Sequence, residues 1–364
     1  MSTAQIAALT ARRAGTFVDL VLKTGWHDRW LYVVAVFALA IAQVVASVGT
    51  ASPDIGLAAA FLIPMSPFVL VVVGGSPVLD LWLRERRTGD RSRSLIPYIA
   101  AYWTEKNRAV AFAHAMMIFT LFSAAFATFK SSVAVISPFA WDSALAHADR
   151  ILHFGFYPHE LLMPLFGSAP ALFVINVAYH LWFMLVIISM LLASLTVREV
   201  QLRRQYIMSF MLIWFVGGFL VAMLFSSAGP CYFERLGLGD SYVPLMMHLR
   251  AAAEVLPLPA LDVQEYLWKG FSGELAVSSG ISAFPSMHVA TATLMALGAF
   301  RINRKLGYCM WGFVGLIQVG SVMLGWHYAI DGYGGALVSI AIWKLAGFWA
   351  ARSADERVQV PCLG

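Results

Sequence analysis

The stretch 171–197 reads ALFVINVAYHLWFMLVIISMLLASLTV, 27 consecutive residues without Asp, Glu, Lys or Arg. An α-helix rises 1.5 Å per residue, so about 20 apolar residues cross the ~30 Å hydrocarbon core of a bilayer. This segment is long enough to cross with a tilt. Working outward, seven further stretches have the same character: 31–49, 55–75, 109–129, 206–226, 284–300, 306–326 and 330–350. Lipid offers no partner to an open sheet edge. The expected fold is therefore an all-α integral membrane protein with about eight transmembrane helices. Composition agrees, since only 12% of the 364 residues are charged, half of the ~25% that a soluble surface requires.

A net charge of +5 would suggest nucleic acid in a soluble chain. In a membrane chain Lys and Arg collect in cytosolic loops, so nucleic-acid binding is excluded as a reading. Segment 84–108 carries Arg84, Arg86, Arg87, Arg91, Arg93, Lys106 and Arg108; 198–204 carries Arg198, Arg203 and Arg204; 301–305 carries Arg301, Arg304 and Lys305. Placing these and both termini in the cytosol leaves Lys130, Arg150, Arg235, Arg250 and Lys269 outside, five of 25 basic residues. The domain reading follows: a cytosolic segment 1–30, two N-terminal spans with a basic loop over 31–108, a membrane domain over 109–350, and a tail 351–364. Two long outer loops, 130–170 and 227–283, mark the face where function is expected. Within the first, 142–154 (DSALAHADRILHF) spaces Leu145, Ala148, Ile151 and Leu152 as an interfacial amphipathic helix does. No cleavable signal is expected at the N-terminus, and three dispersed cysteines form no CxxC pair.

Two short strings sit on the outer face, Phe284-Pro285-Ser286-Met287-His288 and His327-Tyr328-Ala329-Ile330-Asp331. His288 and His327 are 39 residues apart, with the midpoint at Lys305 to Tyr308, in the expected cytosolic turn. Two antiparallel helices joined there bring both imidazoles to one membrane depth. Asp331 follows His327 by four residues, one helical turn on. A carboxylate there can accept the proton of one ring nitrogen and leave the other free to attack. Ionisable groups at this depth are functional by default.

The strings FPSMH and HYAID resemble the second and third motifs of the type-2 phosphatidic acid phosphatase superfamily. The residue before the motif His and the HYxID form are most similar to its inositol phosphorylceramide and sphingomyelin synthase branch. The run WDSALAHADRILHFG and the later SSAGPCYFERL add to that likeness, which covers roughly 129–347. It implies a six-helix phosphatase-like core preceded by two N-terminal spans. It implies a phosphohistidine on His327, orientation by Asp331, and protonation of the leaving oxygen by His288. Ser286 and the first N–H groups of that span would hold phosphate oxygens. The implied substrate is a lipid phosphate or phosphodiester, with a hydroxyl acceptor if the reaction is a transfer, and no cofactor or metal is implied. Membrane lipids are the expected partners, and the site is expected at the periplasmic, extracellular or lumenal face.

The chain departs from the superfamily where charge is concerned. Gly320 and Ser321 stand where the third motif carries Ser-Arg, and the first motif's Lys matches Lys130 but its Arg-Pro matches Ser137-Pro138. The developing charge of phosphoryl transfer needs fixed donors. Among outer basic residues the order of candidates is Lys130, Arg235, then Lys269 and Arg150. Other polar residues read as structural: Asn176, Tyr179 and His180 as interhelical hydrogen bonders, His114 as packing, and His147, His153 and His159 as non-ligands because their spacing fits no metal set. The 12 Trp and 12 Tyr read mostly as interfacial anchors. Two alternatives stay open, a transporter with His and Asp as a proton relay, and a zinc-dependent membrane hydrolase using His288, His327 and Asp331.

Overall fold

The computed structural model describes residues 16–48, 66–89, 94–275 and 280–355. Among these the regular elements are all helical. Seven helices are long and apolar enough to cross a membrane, and Met287–Ile302 is a shorter apolar helix packed among them. Hydropathy predicts about eight spans; among the described residues seven are long enough, and the sixth expected span is the shorter helix.

Helices α1 (Arg29–Val48) and α2 (Ser66–Thr88) precede a short α3 (Leu95–Thr104) and the long α4 (Arg108–Ile136). The helix that overlaps the expected second span, 55–75, extends beyond it toward the C-terminus. The 55–65 part of that span lies outside the described residues, while the helix runs on through Gly74-Gly75 and Pro77 to Thr88. Punctuation that ends a helix in water is overridden in lipid, where backbone groups have no other partner. The basic loop expected over 84–108 is likewise partly helical. Arg84, Arg86 and Arg87 lie near the end of α2, and α3 meets α4 at Lys106 and Asn107, both in the left-handed region (φ 46° and 58°).

Charge holds one end of the bundle together. Glu105 gathers Arg108 (3.0 Å), Arg198 (2.8 Å) and Arg84 (3.9 Å), which puts the 84–108 and 198–204 segments at the same end. Asp28 is buried between Arg203 (2.8 Å) and Arg204 (3.2 Å), and His114 bridges the Tyr32 hydroxyl (2.6 Å) and the Val21 carbonyl (3.1 Å). His114 therefore packs, as expected, but through two hydrogen bonds.

The opposite end carries short helices between the crossings: α5 (Asp142–Leu152), α6 (Pro158–Phe166), α9 (Val243–Ala253) and α10 (Pro259–Phe271). Between them run α7 (Ala169–Leu195), capped by Ser168, and α8 (Val200–Leu212), which continues through a π-helical stretch, Ile213–Val221. Phe129 and Phe219 stack at 4.1 Å where α4 meets that stretch. Finally α11 (Met287–Ile302) turns at Asn303 into α12 (Arg304–Met323), and α13 (Ala329–Asp355) completes the fold. Asn303 makes the tight turn by accepting from the Lys305 (2.8 Å) and Leu306 (3.3 Å) amides. That turn sets α11 against α12, while Gly335 lets α13 approach the start of α11 closely: a Cβ there would lie 2.4 Å from the Ser286 carbonyl oxygen.

Candidate active site

The α11–α12 hairpin does what the 39-residue interval predicts. His288 stands in the first turn of α11, His327 stands between α12 and α13, and their ring centroids are 6.2 Å apart. Ser286 caps α11, its hydroxyl accepting from the Val289 amide (3.5 Å), while its own N–H donates to the Asp331 carbonyl (2.9 Å). His327 is 7% exposed and its Nδ1 lies 3.3 Å from Asp331 Oδ2. The same carboxylate oxygen accepts from the Tyr328 amide at 3.1 Å. With Nδ1–H donating to Asp331, the lone pair available for attack is on Nε2.

His288 is held by aromatic rings. Tyr179 stacks on it at 4.2 Å and 19°, Trp182 lies against it at 4.0 Å, and Phe183 meets it edge-on at 5.7 Å. Trp182 is fixed in turn by its indole N–H donating to Thr291 (2.9 Å). Of the trio read as interhelical hydrogen bonders, Asn176 is one, accepting from the Ala260 amide of α10 (3.2 Å), whereas His180 bonds back to Asn176 O in its own helix (2.8 Å). Tyr179 also faces the Ser321 hydroxyl (3.5 Å), at the position where the third motif departs from the superfamily. Trp182, read with the anchors, is a site residue; its spacing of three from Tyr179 was the available signal. His288 Nε2 and Asp331 Oδ1 are buried with no hydrogen-bond partner among the described residues. Orphaned polar atoms are costly, and two of them mark this site.

The outer cations separate by partner. Arg235 pairs with Glu265 (2.5 Å) and lies over Trp268 at 5.3 Å; Lys269 is 4.0 Å from the same carboxylate. Glu265 is held below the usual carboxylate range by the Arg235 hydrogen bond. Arg150 bonds the Gly155 carbonyl (3.1 Å) and covers Tyr157 at 5.1 Å. Lys130 lies within α4 rather than in the outer loop, with its stem beside Gly280, 3.2 Å from where a Cβ would stand. It lies within electrostatic range of both His288 and His327. Among the described residues it has no ion-pair or hydrogen-bond partner.

The expected amphipathic helix is α5, and it carries two residues that sequence reasoning passed over. Asp142 accepts from the Ala228 (2.9 Å) and Gly229 (2.8 Å) amides and from the Tyr328 hydroxyl (2.8 Å). Asp149 accepts from the Ala329 (2.7 Å) and Ile330 (2.9 Å) amides. Burial pushes both carboxyls above their usual range, and these donors pull back part of the shift. Gly229 has φ 101°, and a Cβ there would lie 2.5 Å from the Trp326 carbonyl.

His153 bonds its own helix at Asp149 O (2.7 Å) and the Tyr333 hydroxyl (3.0 Å), and His159 stacks on Tyr157 at 5.7 Å. Among the described residues no group of three or more His, Cys, Asp or Glu side chains is arranged to hold a metal ion. In particular, Asp331 engages Nδ1 of His327 instead of converging with His288 on a common point. No curated protein and no solved structure matches the chain. The profile of the PAP2 superfamily matches residues 143–345, more than half of the 364 residues and a range that contains α5 from its second residue on, the aromatic clamp and both histidine strings. The chain belongs to the PAP2 superfamily.

Proposed function

We propose that the protein is a lipid phosphate phosphatase or phosphotransferase that works through a phosphohistidine on His327, at the non-cytosolic face of its membrane. The observation that carries this is the pairing of His327 Nδ1 with Asp331 at 3.3 Å, with the His288 ring 6.2 Å across from it. His327 Nε2 attacks phosphorus; the N–P bond forms as the ester P–O bond breaks, and the leaving lipid oxygen takes a proton from His288. In the second half water, or the hydroxyl of an acceptor, attacks the phosphohistidine and gives its proton to His288. The P–N bond breaks and both histidines return to their starting state. Asp331 stabilises the imidazole as charge develops on it.

The phosphate oxygens rest on the first N–H groups of α11 beside Ser286. Lys130 offsets the remaining negative charge, in place of the superfamily arginines at whose positions Ser321 and Ser137 stand. Arg235, already paired with Glu265, is the second choice. No step calls for a metal. Likeness of the motifs to inositol phosphorylceramide synthases supports a phosphodiester donor and a polyol or lipid hydroxyl acceptor, with hydrolysis as the outcome when water arrives instead.

The test is an assay of purified protein in EDTA with a panel of lipid phosphates and phosphodiesters, with and without hydroxyl acceptors, read by lipid mass spectrometry. Activity survives EDTA, vanadate inhibits, and His327→Ala loses roughly 10⁴-fold or more in kcat. Asp331→Asn is the milder lesion, because it removes only the orienting partner. Full activity in His327→Ala refutes the phosphohistidine; abolition by EDTA alone favours the zinc hydrolase.

A further inference from the structure

Two helix N-termini meet at the site, and they are treated oppositely. A helix start carries roughly half a positive charge on unsatisfied N–H groups and attracts anions. At α13, directly after the nucleophile position, these groups are all taken. Tyr328 N–H goes to Asp331 Oδ2, Ala329 and Ile330 N–H go to Asp149, and Asp331 N–H goes to the Tyr328 carbonyl (3.1 Å). At α11 the Val289 and Ala290 amides bond Ser286, while those of Met287 and His288 have no partner among the described residues.

The other aspartate of α5 ties down the surrounding loops. Asp142 holds the Tyr328 hydroxyl and the amides of Ala228 and Gly229. The neighbouring Ser227 accepts from Ala283 through its carbonyl (2.8 Å) and from Phe284 through its hydroxyl (3.1 Å). One interfacial helix is therefore bonded directly to the segment bearing His327, and through a single loop to the segment bearing Ser286 and His288.

We propose that Asp142 and Asp149 are positioning residues for the phosphoryl transfer. Asp149 closes the α13 N-terminus to phosphate, which leaves the α11 N-terminus as the seat for the anion, and the two aspartates together fix His327 relative to His288. This inference rests on the reading of His327 as the nucleophile. Neither carboxylate touches the reacting atoms; both act through Tyr328, Ala329 and Ile330.

The experiment compares wild type, Asp149→Ala, Asp149→Asn and His327→Ala as full-length protein in detergent. Phosphate release from a short-chain phosphatidic acid is normalised to the monodisperse fraction, and amide hydrogen exchange is read by mass spectrometry. In Asp149→Ala, kcat falls about 10- to 10²-fold, the scale of a lost orienting partner, with KM within about twofold. Exchange at Ala329 and Ile330 quickens by about tenfold or more, while α4 and α12 exchange as in wild type; general loss of fold would not give that localisation. Asp149→Asn, which keeps an acceptor oxygen, falls between the two. Normal kcat in Asp149→Ala with an inactive His327→Ala overturns the positioning role and leaves the phosphohistidine standing. A fully active His327→Ala beside a crippled Asp149→Ala refutes the phosphohistidine instead.

Discussion

Gly335→Ala tests how closely α13 must approach the start of α11. The added Cβ would lie 2.4 Å from the Ser286 carbonyl oxygen and 3.3 Å from the Ala290 nitrogen. Ordinary contact begins near 3.4 Å, so the backbones must part by about 3.4 − 2.4 = 1.0 Å. Both contacts are main chain, which cannot rotate aside. Overpacking of this kind costs about 1–3 kcal/mol, and a displacement of about 1 Å between reacting groups costs on the order of 10²-fold in rate. Ser286 caps the helix of His288 and bonds Asp331 through its amide, so the shift is delivered to both halves of the triad. The assay is kcat/KM for phosphate release, with the half-life of the monodisperse fraction at a fixed elevated temperature as the stability measure. Gly312→Ala is the control: nothing lies within 4 Å of its Cβ position, and alanine in an open helical position is neutral or stabilising. Wild-type turnover and half-life in Gly335→Ala would refute the close-approach argument.

Lys130→Met lowers kcat/KM by roughly 10²-fold or more, the scale of one lost transition-state donor, whereas Arg235→Met stays near wild type because that guanidinium is engaged by Glu265; the reverse order would move the phosphate role to the 226–236 segment. Asp28→Asn removes the carboxylate charge that the nearly fully buried Arg203 faces at 2.8 Å, a loss of about 3–5 kcal/mol, seen as a collapsed monodisperse yield with little folded protein to assay. Glu265 has a lowered pKa in the fold, so its pairing contributes above the ordinary glutamate value and is lost as pH falls through the lowered one. The small difference in heat half-life between wild type and Glu265→Gln, small because both partners are exposed, is therefore present at neutral pH and vanishes on acidification.

The crossings were legible because lipid imposes length and polarity on each helix independently of its neighbours. The stretch 171–197 could be read without knowing anything else about the chain. His288, His327 and Asp331 were legible for a related reason: an antiparallel hairpin converts sequence separation into depth, although the turn at Asn303 falls four to five residues before the midpoint of the interval. Features that depend on tertiary partners were not. Hydropathy bounds the second span at residue 75, yet α2 continues past it through Pro77 to Thr88. Asp142 and Asp149 sat in an amphipathic pattern, where polar residues are expected to face water, but they are buried on the same side as Leu145 and Ala146. Their spacing of seven, two helical turns, was the signal that they share a face. Trp182 was hidden among aromatic residues that anchor helices in the interface.

Charge balance explains why α5 belongs to the site. A phosphate arriving between His288 and His327 is anionic and meets little screening at a buried site. Asp142 and Asp149 both lie within electrostatic range of Asp331, and unpaired the three carboxylates would repel it. Each of the α5 carboxylates is instead met by at least two N–H or O–H donors, so its charge is spent on backbone and on Tyr328. Asp331 keeps Oδ2 on His327 and the Tyr328 amide, directed at the imidazole that must become positive. What remains uncommitted among the described residues is Lys130, the two free amides of α11 and a single carboxylate oxygen, Asp331 Oδ1. On the proposed mechanism, a site lacking the superfamily's arginines works with so little positive charge because all its carboxylate oxygens but Asp331 Oδ1 are already bonded elsewhere. Adding an arginine at Ser321 would then place a long cation against Tyr179, which faces that hydroxyl at 3.5 Å, and would break the stack that holds His288.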